Sequence, residues 1–169
     1  MKFVETPIAG AYVIELEPHH DERGFFARTY SDDAFRTLLP HVMQAGTSFN
    51  HRRGTVRGLH YQRPPHGEAK LVRCTRGAIF DVIADLAAAR WYGVELTQDN
   101  HRMIFIPEGI AHGFQTLEDA TEVSYLISRD YHPESAAGAR WDDPLLGIRW
   151  PLEATLISDR DRTWPELSR

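Results

Sequence analysis

The sequence predicts an all-β fold, either a sandwich or a barrel of short strands. Helical periodicity is scarce along the 169 residues, and most of the chain consists of short runs rich in Val, Ile, Phe, Tyr and Thr, separated by turn signals. The runs recur at roughly 8- to 12-residue spacing with no intervening helices, which is typical of sandwiches and barrels and disfavours a βαβ fold. A chain of this length favours one domain, over residues 1–169.

The predicted elements follow one another along the chain. One short helix is expected over Ser31–Leu39, because Ser31 can cap its first turn. Phe35, Leu38 and Leu39 would then share one face of that helix. Each strand is predicted from a run of β-branched and aromatic residues that ends at a turn signal. The predicted strands are Tyr12–Leu16, Phe25–Tyr30, Thr55–Gln62, Ala69–Thr75, Ala78–Leu86, Trp91–Thr97, Met103–Pro107, Gly113–Leu117 and Glu122–Ser128.

The clearest alternation of apolar and polar residues lies in 80–86. It predicts that Phe80, Val82, Ala84 and Leu86 face the core of the fold.

Composition excludes several classes of protein. The hydrophobic share of 42% and the charged share of 25% are typical of a globular domain, and no apolar run approaches the ~20 residues of a membrane helix. The N-terminus lacks the apolar stretch of a secretion signal, and the lone Cys74 cannot form an internal disulfide, so we expect a cytoplasmic protein with Cys74 as a small core residue. A net charge of −5 disfavours non-specific nucleic-acid binding. Nine histidines are many for this length and point to site chemistry or a metal.

The first polar cluster begins at Arg57. In a strand over residues 55–62, His60 and Gln62 share a face, whereas Arg57 lies opposite unless Gly58 forms a bulge, which a glycine permits.

Two further residues can project inward from their strands. Lys70 lies on the same side of its strand as Val72 and Cys74, which is costly unless the lysine meets a negative charge or sits at a strand end and reaches solvent. The Pro-x-Gly turn in 107–114 aims His112 inward, either as a functional imidazole or as a hydrogen-bonded structural one.

The C-terminal third supplies a phenol and a carboxylate. Tyr125 lies in mid-strand beside Val123 and Ile127 and is expected to face inward, where a buried hydroxyl usually finds a partner. The Ser-Asp-Arg-Asp sequence of residues 158–161 is also compatible with a simple turn.

Together, these imidazole, lysine, phenol, carboxylate and arginine side chains suit the abstraction of a proton next to a carbonyl. An imidazole can accept that proton near pH 7, and Lys70 or His112 can stabilise the resulting enolate. A phenol that returns the proton from the opposite face inverts the centre. Arg23 and Arg57 can bind a diphosphate. No nucleophile motif, P-loop or dinucleotide fingerprint competes with this interpretation.

Several motifs, taken in order over about Asp21–Pro165, are similar to those of one family. The sequence resembles the dTDP-4-dehydrorhamnose 3,5-epimerases, the RmlC-like cupins. The resemblance implies a cupin-type double-stranded β-helix, or jelly roll, with minor short helices. It also implies a homodimer in which N-terminal strands extend the partner's sheet. The motifs are Arg57–Gln62, Lys70–Arg73, Ala78–Leu86, Ile106–Phe114 and Arg140–Pro144.

The resemblance also implies an activity and its residues. Family members epimerise a nucleotide-linked (here dTDP-linked) 4-keto-6-deoxyhexose at C3 and C5 without a metal or other cofactor, in deoxysugar biosynthesis. His60 matches the catalytic base and Asp161 the carboxylate that pairs with it. Tyr125 matches the proton donor on the other face of the sugar, and Lys70 the residue that stabilises the enolate. The residues assigned to substrate binding are Arg23, Phe26, Arg28, Gln44, Arg57, His112 and Tyr131, with Arg23 and Arg57 near the diphosphate and Tyr131 stacked on the thymine.

The chain departs from the family pattern on the ligand-binding side. Arg28 replaces a glutamate that contacts substrate, Gly46 replaces an asparagine, and Ala136 replaces an acidic contact. One extra residue precedes Gly54. The departures leave the acid–base set intact, so they bear on which nucleotide and sugar bind rather than on the proton chemistry.

Three alternatives remain open. An epimerase that inverts C3 alone would use the same residues. A metal-dependent cupin, such as an oxygenase, would draw ligands from His60, His66, Glu68 and His112, although the first motif lacks the usual His-x-His pair. A non-catalytic sugar-binding cupin is expected to lack the acid or the base, and both are present here.

Overall fold

The structure is a computed structural model that describes residues 1–39 and 41–168, so Pro40 and Arg169 of the predicted domain lie outside the described residues. In these ranges its regular elements are mostly strands, with two helices of four residues each. The strands are β1 (Lys2–Glu5), β2 (Tyr12–Glu15), β3 (His19–Asp21), β4 (Gly24–Phe26), β5 (Gln44–Asn50), β6 (Val56–Gln62), β7 (Lys70–Arg76), β8 (Ala78–Asp85), β9 (Arg90–Thr97), β10 (Met103–Ile106), β11 (Ala111–Thr116), β12 (Thr121–Ile127) and β13 (Ala136–Gly138).

The strands form two large sheets and one small one. The first sheet has six strands in the order β1-β2-β10-β7-β12-β5, and the second has five in the order β13-β6-β11-β8-β9. Strands β3 and β4 pair with each other, as a hairpin. All of these pairs are antiparallel, which confirms the predicted all-β fold.

The structure contains the predicted helix, but the helix is shorter than the predicted range Ser31–Leu39. Helix α1 covers Asp32–Phe35, and the Ser31 hydroxyl caps it by accepting a hydrogen bond from the Ala34 N–H. Phe35 and Leu39 are fully buried against the outer side of the six-stranded sheet, as the predicted apolar face requires.

The core lies between the two large sheets. Ile79 and Ile83 of β8 pack there against residues of the six-stranded sheet. The other face of β8 is buried as well, under the C-terminal segment and its Trp150. The prediction that Phe80, Val82, Ala84 and Leu86 face this core is therefore wrong, because alternation shows that a face is buried but not what covers it.

The C-terminal segment is held by a buried aspartate. The carboxylate of Asp143 accepts hydrogen bonds from the backbone N–H groups of Leu145 and Leu167. This anchoring brings helix α2, Asp159–Arg162, against β6. No helix in 1–39 or 41–168 is long and apolar enough to cross a membrane.

Candidate active site

A cavity of about 680 Å³ opens between the two large sheets. Residues of both sheets and of helix α2 form its walls, so residues distant in sequence meet there. Its polar lining comprises Gln44, Ser48, Thr55, Arg57, His60, Tyr61, Gln62, Glu68, Lys70, His112, Tyr125, Tyr131, Ser158, Arg160 and Asp161.

A histidine and an aspartate form a dyad at the wall of this cavity. Nε2 of His60, on β6, lies 2.5 Å from Oδ1 of Asp161, on α2. The second carboxylate oxygen accepts a hydrogen bond of 3.2 Å from the Gly58 N–H. Burial opposes ionisation of Asp161, but the hydrogen bond and charge of His60 outweigh it and hold the pKa of Asp161 below its ordinary value.

Gly58 places this dyad by distorting strand β6. The register against β11 shifts between His112 and Phe114, where two residues of β6 oppose one of β11. Gly58 has a φ of +130°, and a Cβ there would lie 2.4 Å from the Cα of Gly113. The shift brings Arg57 and His60 to the same cavity, which confirms the bulge that the sequence left open.

A second histidine–carboxylate pair lies deeper in the same wall. His112 Nε2 is 2.8 Å from Asp81 Oδ2, and the two side chains are almost completely buried. Oδ1 of Asp81 makes no hydrogen bond within the described part of the chain. Sequence reasoning missed Asp81, although a carboxylate in the middle of the apolar strand 78–86 was a usable signal.

The phenol of Tyr125 enters the cavity from the opposite sheet. Tyr125 lies on β12, and its hydroxyl is 3.2 Å from Ser48 Oγ on β5. Burial raises the pKa of Tyr125 well above its ordinary value, so the phenol keeps its proton at neutral pH. Ser48 carries no signal in the sequence, since an isolated serine in a polar run has many possible roles.

Lys70 meets the negative charge that its inward position demands. Its Nζ lies 2.8 Å from Glu68 Oε1, and both side chains are only 11% exposed. The strand-end alternative, in which the lysine reaches solvent, does not occur. The sequence predicted Glu68 only as a possible metal ligand. Its ion pair with Lys70 was missed because the pairing depends on the turn that precedes β7.

Two further cations line the cavity. The Arg57 Nε donates a hydrogen bond of 2.7 Å to Asn50 Oδ1, which fixes the guanidinium. Arg160 donates to the Tyr131 hydroxyl at 3.2 Å and lies over the ring of Trp164. Arg160 was not among the predicted site residues, although its tetrapeptide was singled out.

The arrangement provides a paired imidazole on one wall, a protonated phenol on the facing wall and several cations. A family model described as dTDP-4-dehydrorhamnose 3,5-epimerase matches residues 5–169. This chain belongs to the dTDP-4-dehydrorhamnose 3,5-epimerase family. The family resemblance predicted from the sequence motifs is thereby confirmed.

Individual relatives of this epimerase family match over nearly the whole chain. A dTDP-4-dehydrorhamnose 3,5-epimerase of Methanothermobacter thermautotrophicus is 45% identical, with 98% of this chain and 94% of the relative covered. The crystal structure of the Bacillus anthracis epimerase with TDP and PPi bound has a TM-score of 0.92 at 38% identity, with 98% and 99% covered. ChmJ, a 3′-monoepimerase of Streptomyces bikiniensis in complex with dTDP-quinovose, has a TM-score of 0.88 at 33% identity, with 96% and 86% covered. These likenesses confirm the cupin-type jelly roll.

The structure brings together most of the residues that the epimerase resemblance assigns to the site. His60, Asp161, Tyr125 and Lys70 line the cavity, as do Gln44, Arg57, His112 and Tyr131.

Three assigned residues lie elsewhere within the chain. Arg23 is on the turn of the β3–β4 hairpin, exposed and paired with Asp21. Phe26 is 67% exposed, and together with Arg28 it lines a separate cavity of about 200 Å³.

The four candidate metal ligands do not converge. His60 pairs with Asp161, His112 with Asp81 and Glu68 with Lys70. His66 instead lies beside His132 and Glu134, and these three residues are not among those that line the cavity. Of the departures from the epimerase pattern, Ala136 lines the cavity and Gly46 lies opposite Tyr125 in the β5–β12 ladder.

Proposed function

We propose that this chain is an epimerase that inverts C3 and C5 of a dTDP-linked 4-keto-6-deoxyhexose, in the formation of activated deoxysugars. One observation carries the proposal. The His60–Asp161 dyad and the protonated Tyr125 belong to facing walls of one cavity. A base on one side of a sugar ring and an acid on the other can remove a proton from one face and return it to the opposite face, which inverts the carbon.

His60 acts as the base in this proposal. Its Nε2 is bound to Asp161, so Nδ1 is the nitrogen that accepts the proton. The 4-keto group acidifies the C–H bonds at C3 and C5, and a neutral imidazole has a suitable basicity at pH 7. Asp161 stabilises the imidazolium that forms, and a ring flip presents the second carbon to the same pair of groups.

Lys70 stabilises the enolate oxygen at C4. Its ammonium is buried beside the Glu68 carboxylate, which compensates for a charge that would be costly for a lone lysine in a cavity. A charge that is fixed before the reaction lowers the energy of the developing oxyanion. His112, held by Asp81, supplies a second hydrogen-bonding group to the sugar.

The nucleotide occupies the mouth of the cavity. Tyr131 is 54% exposed at the rim, where its ring can stack on a base, and Gln44 lies on the same side. Arg57 and Arg160 provide guanidinium groups for the diphosphate. These local cations serve an anionic ligand although the chain as a whole carries a net charge of −5.

We further propose that the active form is a homodimer in which the β3–β4 hairpin of one copy reaches the cavity of the other. Arg23 and Phe26 are exposed on this hairpin and lie outside the cavity of their own chain. Phe26 is 67% exposed, an apolar side chain that a second copy would cover. The lone buried Cys74 accords with a cytoplasmic enzyme.

Mixed dimers test the hairpin assignment. His60→Ala lacks the base, and Arg23→Ala lacks the hairpin cation. If the hairpin acts on the partner's cavity, one cavity of a mixed dimer contains both His60 and a partner hairpin with Arg23, and mixing the two weak variants restores activity. If mixing restores nothing although mixed dimers form, the hairpin does not act across the interface.

Deuterium exchange tests the epimerase activity. The protein is incubated in heavy water with dTDP-, UDP-, CDP- and GDP-linked 4-keto-6-deoxyglucose, and the sugar is followed by NMR. We expect deuterium at C3 and C5 of the dTDP sugar and none with His60→Ala, whereas His51→Ala, an exposed histidine away from the cavity, behaves as the wild type. Absence of exchange at both carbons for every sugar refutes the epimerase.

The likeness to a 3′-monoepimerase favours one alternative, inversion at C3 alone. The same experiment separates the two functions. Deuterium at C3 alone identifies an epimerase that inverts only C3, and deuterium at both carbons identifies the 3,5-epimerase.

A further inference from the structure

Three side chains that could ligate a metal lie close together, and they are not among the residues that line the cavity. The ligand atoms of His66, His132 and Glu134 all lie within 4.8 Å of one another. Glu134 Oε1 is 3.2 Å from His132 Nδ1 and 4.0 Å from His66 Nε2. The two imidazole rings are stacked, with their centroids 3.7 Å apart and their planes at 17°. These residues come from the loops that flank β6 and β13, and the proposed reaction uses none of them.

A buried glutamine ties the two loops together at these residues. Gln62 is 2% exposed, and its amide nitrogen donates to the carbonyls of His66 at 3.0 Å and Asp130 at 3.1 Å. Its side-chain oxygen accepts a hydrogen bond of 2.6 Å from the His132 N–H. The Gln62 side chain therefore holds the backbone of both histidines in place, and it is not itself one of the three candidate ligands.

Turns on both sides of Gln62 add to this rigidity. The His66 N–H donates to the Arg63 carbonyl at 3.1 Å, and the Ser135 N–H donates to the His132 carbonyl at 3.0 Å. The Arg63 N–H then joins the two turns by donating to the Ser135 carbonyl at 2.8 Å. A site on such turns loses little conformational freedom when it binds an ion.

The donors suit a late first-row divalent metal. Two imidazoles and one carboxylate are an established zinc set with one position left for water. A tetrahedral ion with Zn–N bonds of ~2.0–2.1 Å needs two nitrogens roughly 3.3 Å apart, with both ring planes directed at the ion. The stacked imidazoles must therefore rotate about their side-chain torsions when an ion binds. The side chains of His66 and His132 are 35% and 37% exposed, which gives an ion access.

We propose that His66, His132 and Glu134 form a binding site for a divalent transition metal, with zinc as the preferred ion. The site is separate from the acid–base residues and has no role in proton transfer. A bound ion would cross-link the two loops. Because Tyr131 directly precedes His132, the ion would also hold the loop that carries the rim of the cavity.

Calorimetric titration tests the site. Untagged full-length protein is stripped with a chelator and titrated with Zn²⁺. We expect one ion per chain in the wild type. His66→Ala and His132→Ala should each weaken binding by at least about tenfold, the scale seen when even a second-shell partner is lost. Glu134→Gln should weaken it as well, and the exposed-histidine control His51→Ala should bind as the wild type.

Two spectroscopic and thermal measurements complete the test. Co²⁺ should give the intense visible d–d bands of a four-coordinate site in the wild type and not in His66→Ala. Zn²⁺ should raise the melting temperature of the wild type and of His51→Ala but not that of His66→Ala, because an ion held by the folded state stabilises it. The proposal is overturned if the wild type binds no Zn²⁺ at a Zn²⁺ concentration of about 10⁻⁴ M. It is also overturned if the variants His66→Ala and Glu134→Gln both bind Zn²⁺ as the wild type does.

Discussion

Nε2 of His60 lies 2.5 Å from Oδ1 of Asp161, so the carboxylate determines which ring nitrogen faces the cavity. The two residues are 101 positions apart in the sequence. A hydrogen bond from Nε2 to the carboxylate places the proton of the neutral imidazole on Nε2 and leaves the lone pair on Nδ1. The base is therefore prepared before substrate arrives, and Asp161 acts by orienting it and stabilising its charged form.

Asp161→Asn should lower the rate of deuterium exchange by about 10²- to 10⁴-fold, because the imidazolium loses its counter-charge and the tautomer is no longer fixed. The substrate should still bind with little change in affinity. NMR exchange rates and a binding titration measure the two quantities. Asp159→Asn removes an exposed carboxylate from the same helix and should exchange at the wild-type rate. Normal turnover in Asp161→Asn removes the residue from the mechanism.

The same pair predicts how stability depends on pH. The folded-state pKa of Asp161 lies below its ordinary value of 3.8 because the bonds from His60 and Gly58 outweigh burial. A depressed carboxyl pKa contributes stability that is fully present above the ordinary value and is lost as the pH falls through the folded-state pKa. Urea unfolding of wild type and Asp161→Asn should therefore differ by about 1–3 kcal/mol at pH 7, and the difference should shrink as the pH falls from 3.8 through the folded-state pKa.

A pH-independent gap between these two proteins would show that Asp161 stabilises the fold by packing rather than by charge. Asp159→Asn again serves as the control, because its exposed carboxylate has no such histidine partner in the described structure.

Gly58→Ala should damage both fold and site. An added Cβ would meet the Gly113 Cα at 2.4 Å and the His112 carbonyl oxygen at 2.9 Å, and its φ of +130° is strained for alanine. Overpacking and backbone strain together predict a loss of about 2–5 kcal/mol in the free energy of unfolding. Gly46→Ala has open space around its Cβ and should change stability by less than about 0.5 kcal/mol. Urea unfolding curves of the two variants measure the contrast; equal stabilities contradict it.

The strand pattern was predictable where apolar runs carry it and not elsewhere. Strands such as β8 and β10 were found from their own residues. Strand β5 has the sequence Gln-Ala-Gly-Thr-Ser-Phe-Asn, which shows no apolar alternation, and it is a strand because it pairs along its whole length with β12. Its location depends on a long-range partner, so no local pattern could find it.

The site shows the same division. The spacing of residues placed His60 on the same face as Gln62 and Tyr125 on an inward face, and all three line the cavity. The pairing of His60 with Asp161 came only from the family resemblance, since residues on separate elements carry no mutual sequence signal. Glu68 and Asp81 were missed as partners because the charge each one meets depends on how the sheets pack.

Cys74 should be inert in the folded protein. The thiol is 1% exposed between the sheets, and burial raises its pKa to about 11. At pH 8 only about one thiol in a thousand would be ionised, and the thiolate is the reactive form. A disulfide reagent such as DTNB should therefore label it at least about 10²-fold more slowly than in denaturant. Rapid labelling of the native protein contradicts this, and Cys74→Ala provides the blank.

Tyr125→Phe should separate proton removal from proton return. His60 lies on the opposite wall and remains able to exchange the substrate proton with solvent, so deuterium should still enter the sugar. Without the phenol no proton arrives from the other face, and the labelled sugar should keep its original configuration, with inversion reduced by about 10²- to 10⁴-fold. NMR reads label and configuration in the same sample. Tyr92→Phe, a partly buried tyrosine on β9, should invert normally. Inversion at the wild-type rate in Tyr125→Phe would require another acid on that wall.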